Sequence, residues 1–406
     1  MNALAPPPLP PLPPPLPPVV LGSPAPPLVL MLSAAHPPDD IRVVRKEGAA
    51  LAAAGWRVAH LAPAREAMPA RVAGVAIEGF ARRPGWAGRL AALPGLARLA
   101  AARGAAVIHA SEPDAWLAAL WAGWRSGARV VLDVHEHYPS RLDSRLPRPL
   151  RPLARAALRL ACRLAGRAAD AVVVAKDGLA GDFAGAPRLL AVRNYAMPAA
   201  VAPRRHAAGP LTLVHAGAMG RSRGWPVLLE AMALGPPEDR LRLIGRFTDG
   251  SEPEFLARAA ALGLAARIER LPWLPHPEAM ARLAEGDIAL VLFQPGEENH
   301  RLALPHKLFD AMQAGLPVIA PAFATEVAGI VAGAGCGALV DSADPRAVAA
   351  AIEGLRDPAR RAALGVAGRA AAAARFGWAG EAARLAGLYR ALAPLPAIAP
   401  SGVPAP

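Results

Sequence analysis

A lysine and a carboxylate three residues apart, Lys307 and Asp310, open the most informative stretch of this chain, LPHKLFDAMQAGLPVIAP, Leu304 to Pro321. The run from Lys307 to Ala314 suits a helix, Gly315 stands where a C-cap glycine belongs, and Pro317 to Ala320 follows as a short apolar strand. The helix therefore starts near His306 and Lys307, with its unpaired N–H groups and positive dipole end beside a lysine. That is a seat for a phosphate or diphosphate. Asp310 lies one turn along the same face, within reach of a ribose hydroxyl. A generic helix–strand unit accounts for the periodicity and for Gly315. It does not account for the order of Pro305, Lys307 and Asp310.

Two further stretches carry groups suited to the same chemistry. AGAMGRSRGWPVLLEAM, from Ala216, is a turn between strand and helix in which Gly217, Gly220 and Gly224 permit close backbone approach. Arg221 and Arg223 in it are placed to neutralise a diphosphate. LDVHEHYPSRL, from Leu132, puts His135 and Glu136 at the end of a strand, suited to positioning a hydroxyl; a loop staple is the plainer alternative.

The elements that must hold these groups alternate along most of the chain. Leu28 opens with a buried strand, Asp40 to Ala54 reads as a helix closed by Gly55, and strands near Trp56, Ala106, Arg129, Ala171 and Leu189 alternate with helices at Asp114 to Trp124 and Arg151 to Ala169. After the linker-like composition of Met197 to Pro210 the scheme repeats from Leu211. Such alternation predicts α/β architecture with parallel, doubly wound sheets. The expected layout is a Pro-rich tail over 1–27, a first Rossmann-like domain over 28–197, a linker over 198–210, a second such domain over 211–375, a C-terminal helix over 376–392 and a tail over 393–406.

Composition bounds the partners. At 406 residues the chain holds two ordinary domains. No run reaches the roughly 20 apolar residues of a membrane span, and the first residues lack the pattern of a secretory signal. Cys162 and Cys336 stand alone and read as buried thiols, so a cytoplasmic setting is expected. The net charge of +13 comes mainly from arginine. Nothing resembles a nucleic-acid module. The helix Arg151 to Arg167 mixes arginine with leucine, and is either an ordinary surface helix or one touching anionic lipid at the inner membrane face.

The Leu304–Pro321 stretch resembles the nucleotide-sugar segment of group 1 (family 4) glycosyltransferases, through Asn299, Pro305, Lys307, Leu308, Phe309, Asp310, Met312, Gly315, Pro317, Val318 and Ile319. The resemblance implies a GT-B fold, two Rossmann-like domains with a cleft between them, in which the last helix, here Phe376 to Leu392, crosses back onto the first domain. It implies retaining, metal-independent sugar transfer from a UDP- or GDP-sugar to a glycan, lipid-linked or small-molecule acceptor, with no cofactor. Asp310 takes the ribose-binding place, while the partner glutamate eight positions earlier is Leu302. Arg223-Gly224 matches the end of the diphosphate-binding segment, and Arg221 substitutes for an early basic residue that maps onto Ala218.

Further residue roles come from the same resemblance. IGRFTDG, with Gly245, and LPWLPHPE, with Leu274, match edges that contact the base, Trp273 being either a stacking platform or core. Asp133, His135, Glu136 and Pro139 match a segment at the cleft. IHASEPDAW aligns with a segment that often has an active-site histidine where Ser111 stands, with Glu112 and Pro113 matching; His109 is two positions early. The loop from Ser33 resembles the acceptor-side loop, making Asp39, Asp40 and Arg42 acceptor contacts, with Arg45 and Lys46 on a solvated helix face. The expected catalytic set is thus His135, Glu136, Lys307 and Arg223. The donor set is Gly217, Gly220, Arg221, Arg223, Gly245, Leu274, Pro305, Lys307, Leu308 and Asp310, and the acceptor set is Asp39, Asp40, Arg42, Ser111 and Glu112. The rivals are a sugar-nucleotide epimerase of the same fold and a degenerate nucleotide-binding partner subunit. A dinucleotide oxidoreductase lacks its GxGxxG after the first strand.

Overall fold

The computed structural model describes residues 25–83, 85–143 and 145–396. Most of the Pro-rich stretch 1–27 and residues 397–406 of the terminal tail lie outside the described residues. The first sheet is built from β1 (Leu28–Leu32), β2 (Arg57–Pro63), β3 (Arg71–Val72), β4 (Val75–Phe80), β5 (Val107–Ala110), β6 (Arg129–Val134), β7 (Ala171–Val174) and β8 (Leu189–Ala191). Its order is β3-β4-β2-β1-β5-β6-β7-β8, and only the β3–β4 pair is antiparallel. The second sheet contains β9 (Thr212–Ala216), β10 (Arg240–Ile244), β11 (Ile268–Leu271), β12 (Ile288–Leu290), β13 (Val318–Pro321) and β14 (Gly337–Val340). It runs β11-β10-β9-β12-β13-β14 and is parallel throughout.

Strands such as LVLML and AVVV are continuous apolar runs because helices cover both faces of each sheet. Chain order reverses direction at β1 in one sheet and at β9 in the other. The loops leaving those strands therefore open crevices at the carboxyl edges, where ligands bind in doubly wound sheets. The two crevices carry the loop with Asp39 and Asp40 and the turn Gly217–Arg223, both expected to line the site.

Two features were not legible in the pattern. Strands β3 and β4 and the helix Gly85–Ala101 lack clear signals, because β3 has two residues and the helix contains Pro94. The helix expected over Asp40–Ala54 is in two parts, a π-helix over Ile41–Gly48 and an α-helix over Ala49–Ala53. Asp40 caps it, its Oδ1 accepting from the N–H groups of Arg42 (2.8 Å) and Val43 (2.9 Å). The wider turn rotates Arg42, Lys46 and Glu47 inward. Lys46 is buried, which corrects its expected place on a solvated face.

The helix Trp378–Leu392 returns to the first domain. Trp378, Leu385 and Tyr389 join Val29, Met31, Val107 and Val131 in one apolar cluster. Trp56 Nε1–H donates to the Ala393 carbonyl (2.9 Å), and the amide of Arg193 donates to Glu381 Oε2 (2.8 Å). The first domain's core is thus completed by the last helix of the chain. Truncating Tyr389→Ala is expected to cost about 3–5 kcal/mol, read as a lower urea midpoint for the first domain's unfolding. A loss below about 1 kcal/mol would show that this helix is not part of that core.

Candidate functional site

On the second-domain side, the helix His306–Gln313 starts after Pro305, which offers no side-chain cap. Its first N–H groups are left for another partner. Lys307 is partly buried with Nζ 2.8 Å from His215 Nε2. His215 is also buried, and burial together with the Lys307 charge holds it neutral, so Nε2 accepts from the lysine. Burial, and then the nearby Arg223, push the Lys307 ammonium well below its ordinary range. Arg223 is partly buried, its guanidinium 4.7 Å from the centre of the Phe293 ring. Among the described residues neither cation has a carboxylate at salt-bridge distance. Two partly buried cations beside a helix N-terminus suit an anion.

Asp310 lies on the same helix, Oδ1 3.2 Å from His276 Nε2. Gly224 (φ +90°) is fixed by space, since a Cβ there would meet the Leu292 carbonyl oxygen at 2.3 Å. Gly245 (φ +138°) likewise would strike the Gly217 oxygen at 2.2 Å. Both glycines are required by chain packing: Gly245 brings the β10 loop against Gly217 beside Lys307, and Gly224 packs against Leu292 after β12. Trp273 is exposed with the Arg246 guanidinium 5.6 Å from its ring centre, which places it outside the core.

Several expected donor contacts are corrected. Leu308 is buried among Phe309, Met312 and Val318, so its side chain serves the core. Leu274 packs against that same cluster and contributes backbone at most. Arg221 is exposed and ion-paired with Glu254, and its amide donates to Asp249 (2.7 Å), which turns it away from Arg223. A Cβ on Gly220 would touch Asp249, so this glycine is shaped by that carboxylate.

The first-domain side is a network of buried charges. Arg42 donates to Asp133 Oδ1 (2.9 Å) and to the Val192 carbonyl (3.0 Å), and sits 2.7 Å from Glu47 Oε1. His109 is 3.3 Å from Glu47 Oε2 and shares a 2.7 Å hydrogen bond with the Tyr389 hydroxyl. Burial opposes charge on His109, but contacts with Asp133 and Glu47 outweigh it and raise it to about 9. Asp133 stays ionised: burial resists that, and the Arg42 charge overcomes it. His135 Nε2 makes a short contact with Asp133 Oδ2, which leaves its Nδ1 edge available as an acceptor. The ring of His36 lies beside it, centroids 4.9 Å apart. Burial works against charge on His36, and hydrogen bonding to Asp40 (3.2 Å) with the field of Glu112 raises it to about 9.

Here too the acceptor assignments are corrected. Arg42 is spent on buried ion pairs. Ser111 is fully buried. The Glu112 carboxylate accepts from the backbone N–H groups of Ala34 (2.9 Å), Ala35 (3.0 Å) and His36 (2.8 Å), so it holds the acceptor-side loop in shape. Asp39 is half exposed beside Arg65, and Asp40 is committed to its cap and to His36. Glu136 pairs with Arg141 (2.9 Å) while its charge still reaches Arg223 and Lys176. His36, Lys46, His215, His276 and His306 are the site residues that sequence reasoning missed; single histidines and a lysine carry no spacing signal.

The halves meet across the cleft. Lys46 Nζ donates to the Tyr195 carbonyl (2.5 Å) and Asn194 Oδ1 (3.1 Å), and lies 3.3 Å from His306 Nε2. Burial and the neighbouring Arg42 charge lower Lys46 to about 7. Burial and the Lys46 charge likewise lower His306 to about 3. The His137 amide donates to Asn299 Oδ1 (2.7 Å), and the Gly178 amide to Glu326 Oε1 (2.9 Å). Leu302 inserts into the first domain's cluster of Ile108, Leu132 and Leu179.

Two Rossmann-like units facing each other, with an anion seat on one wall and an ordered imidazole on the other, define a GT-B sugar-transferase architecture. Residues 41–194 match the family described as "Glycosyl transferase 4-like domain", and residues 210–357 match "Glycosyl transferases group 1". The chain belongs to the group 1 glycosyltransferases. It is 33% identical over 218 residues to a D-inositol 3-phosphate glycosyltransferase of Thermobispora bispora, a match covering 51% of this chain and 47% of that protein. The match therefore spans about half of that relative's length. Sucrose-phosphate synthase of Thermosynechococcus elongatus has the same fold (TM-score 0.69, 21% identity, 90% of this chain and 98% of that one). So does Anabaena HepE in complex with UDP-glucose (TM-score 0.67, 18% identity, 90% and 99%).

The His276–Asp310 pair gives the site a pH dependence. The hydrogen bond to Asp310 raises His276 above its ordinary value, so the charged pair is complete below about pH 6.5 and is lost as pH rises through the raised value. A ribose competing for Asp310 must displace His276. Nucleotide affinity is expected to fall as pH drops through that range, and His276→Asn to flatten the dependence, measured by calorimetry. An unchanged pH profile in the variant would remove His276 from the site.

Proposed function

We propose that this chain transfers a sugar from a nucleoside-diphosphate donor, a UDP- or GDP-sugar, to a glycan, lipid-linked or small-molecule acceptor. The observation that carries the reading is the pair of partly buried cations, Lys307 and Arg223, beside the start of a helix that bears Asp310 one turn later. When the bond from the anomeric carbon to the diphosphate oxygen breaks, negative charge collects on the departing phosphate. Lys307, Arg223 and the free helix N–H groups stand ready to stabilise it without reorganising. Asp310 binds the ribose diol. Their charge fills the part a divalent cation plays in other transferases, in keeping with a metal-independent, cofactor-free reaction.

The acceptor enters from the first domain. Asp133, fixed by Arg42, orients His135 beside the path of the incoming acceptor. Attack on the face the diphosphate leaves lets that phosphate take the hydroxyl proton, and the anomeric configuration is retained. The UDP-glucose complex of Anabaena HepE, a protein of the same fold, supports a uridine donor.

The test is calorimetric titration with UDP, GDP and ADP. One diphosphate is expected to bind selectively. Lys307→Ala and Arg223→Ala should each weaken it by about 30-fold or more, as loss of a buried charge partner does. If no diphosphate binds the wild type at millimolar concentration, the donor site is misassigned. If one binds but no sugar is transferred or hydrolysed, the chain is a nucleotide-binding partner subunit.

A further inference from the structure

Among the described residues no carbonyl and no carboxylate accepts a hydrogen bond from the Arg223 guanidinium, and its close partner is the face of Phe293. Burial lowers this guanidinium from its ordinary value, and the charges of Glu297 and Glu136 oppose that only in part. A cation in such a place is ordinarily tied down by an acid. Here an aromatic ring takes that part.

The backbone dictates the meeting. Arg221–Arg223 form one 3-10 turn between β9 and the helix Trp225–Leu234. Phe293 lies in the segment that follows β12, the strand beside β9 in the second sheet. Two contacts seat the turn on that segment, one on each side of Arg223. Before it, the Ser222 carbonyl accepts from the Gln294 amide (3.0 Å). After it, Gly224 packs directly on the Leu292 carbonyl, where a Cβ would have no room. The segment is itself fastened: Gln294 Nε2 donates to the carbonyls of Leu292 (3.0 Å) and Ser342 (2.7 Å), and Ser342 Oγ donates to the Phe293 carbonyl (2.7 Å). Residue 223 is thereby set against residue 293 by main-chain contacts, whatever its side chain.

The ring is fixed in turn. Phe293 is buried in the cluster that holds Val214, Ile244 and Phe309. The imidazole of His300 stacks on it, with ring centres 5.0 Å and planes 26° apart. His300 Nδ1–H donates to the Gln294 carbonyl (3.1 Å), which locks the imidazole in that orientation. Burial lowers His300 from its ordinary value despite Glu297, so a neutral ring lies beside Phe293 instead of a third cation.

A π face and a carboxylate hold a guanidinium differently. A carboxylate takes the N–H fork edge-on and neutralises it. A ring attracts the cation from its face, and leaves the in-plane N–H groups and the net charge for another partner. Resting on the reading of Arg223 as a diphosphate ligand, we propose that Phe293, backed by His300, is a positioning residue for the donor: its ring holds the Arg223 guanidinium in place with the N–H groups unspent, so that they meet the diphosphate oxygens already oriented. An aliphatic side chain of similar size fills the space but does not hold the charge.

The test is a double-mutant cycle on the full chain, read by calorimetric titration with UDP and GDP. Phe293→Leu should weaken the diphosphate that binds by about 5-fold to 20-fold, the range of a desolvated cation–π contact. In an Arg223→Ala background the same substitution should cost less than about 2-fold, because the group it serves is gone. Phe293→Met, flexible and close in volume, should repeat both results, and it carries the test if Phe293→Leu does not fold. Urea unfolding of each variant checks the fold. A wild type that binds neither nucleotide would overturn the donor reading and this role with it. Wild-type affinity in both Phe293 variants would overturn the role of Phe293 alone. So would equal losses with and without Arg223, which would show that residue 293 acts only through the core.

Discussion

Everything in the cleft answers to one electrostatic imbalance: Lys307 and Arg223 are partly buried together without a carboxylate of their own among the described residues. Burying an ammonium disfavours its charge, and a guanidinium alongside disfavours it further. His215 relieves part of the cost by accepting from Lys307, and it can do so only because the same surroundings keep it neutral. The rest of the relief is left to a ligand. A protein carrying such a cost at a helix N-terminus is poised for an anion with several oxygens, and the glycine packing of Gly217, Gly224 and Gly245 keeps bulk away from that spot.

The first domain follows the opposite rule. Arg42, Asp133, Glu47 and His109 are all buried, and each has an oppositely charged neighbour. Two carboxylates against one guanidinium leave a single negative charge, and a protonated His109 balances it. Paired charges of this kind hold geometry, because moving any member strands another in an apolar setting. The outcome is an Asp133 that cannot turn and a His135 whose ring follows it. One wall of the cleft thus has its charges paired, while the other holds cations without a carboxylate partner. Binding energy is spent on the second wall and orientation is supplied by the first.

How much of this was readable depends on how local each signal is. The parallel sheets and the helix after Pro305 come from periodicity and from residues adjacent in sequence, and those readings hold. Lys307 and Arg223 could be singled out because each sits in a stretch with its own spacing. What failed was orientation. Arg42 and Glu112 lie at the expected loop and were read as facing substrate, yet a π-helical turn sends Arg42 inward and three backbone amides claim Glu112. A turn with i+5 bonding is invisible to 3.6-residue periodicity. Lys46, assigned to solvent, is buried at the hinge for the same reason.

Leu302 shows how a departure from a family pattern acquires meaning only in three dimensions. From sequence it marks a missing carboxylate and argues for a degenerate site. In the structure its side chain is buried in the other domain's core, its Cδ2 2.5 Å from where a Cβ on Gly178 would stand. Only glycine leaves room for it there. A carboxylate in that pocket would be buried without a partner, at a cost of several kcal/mol. The apolar residue and Gly178 therefore go together. Asn299 three residues earlier and His306 four residues later bind the same domain through His137 and Lys46. The segment leading into the donor helix is thus seated on the acceptor domain by apolar contact, so the position of Lys307 is set by both domains at once.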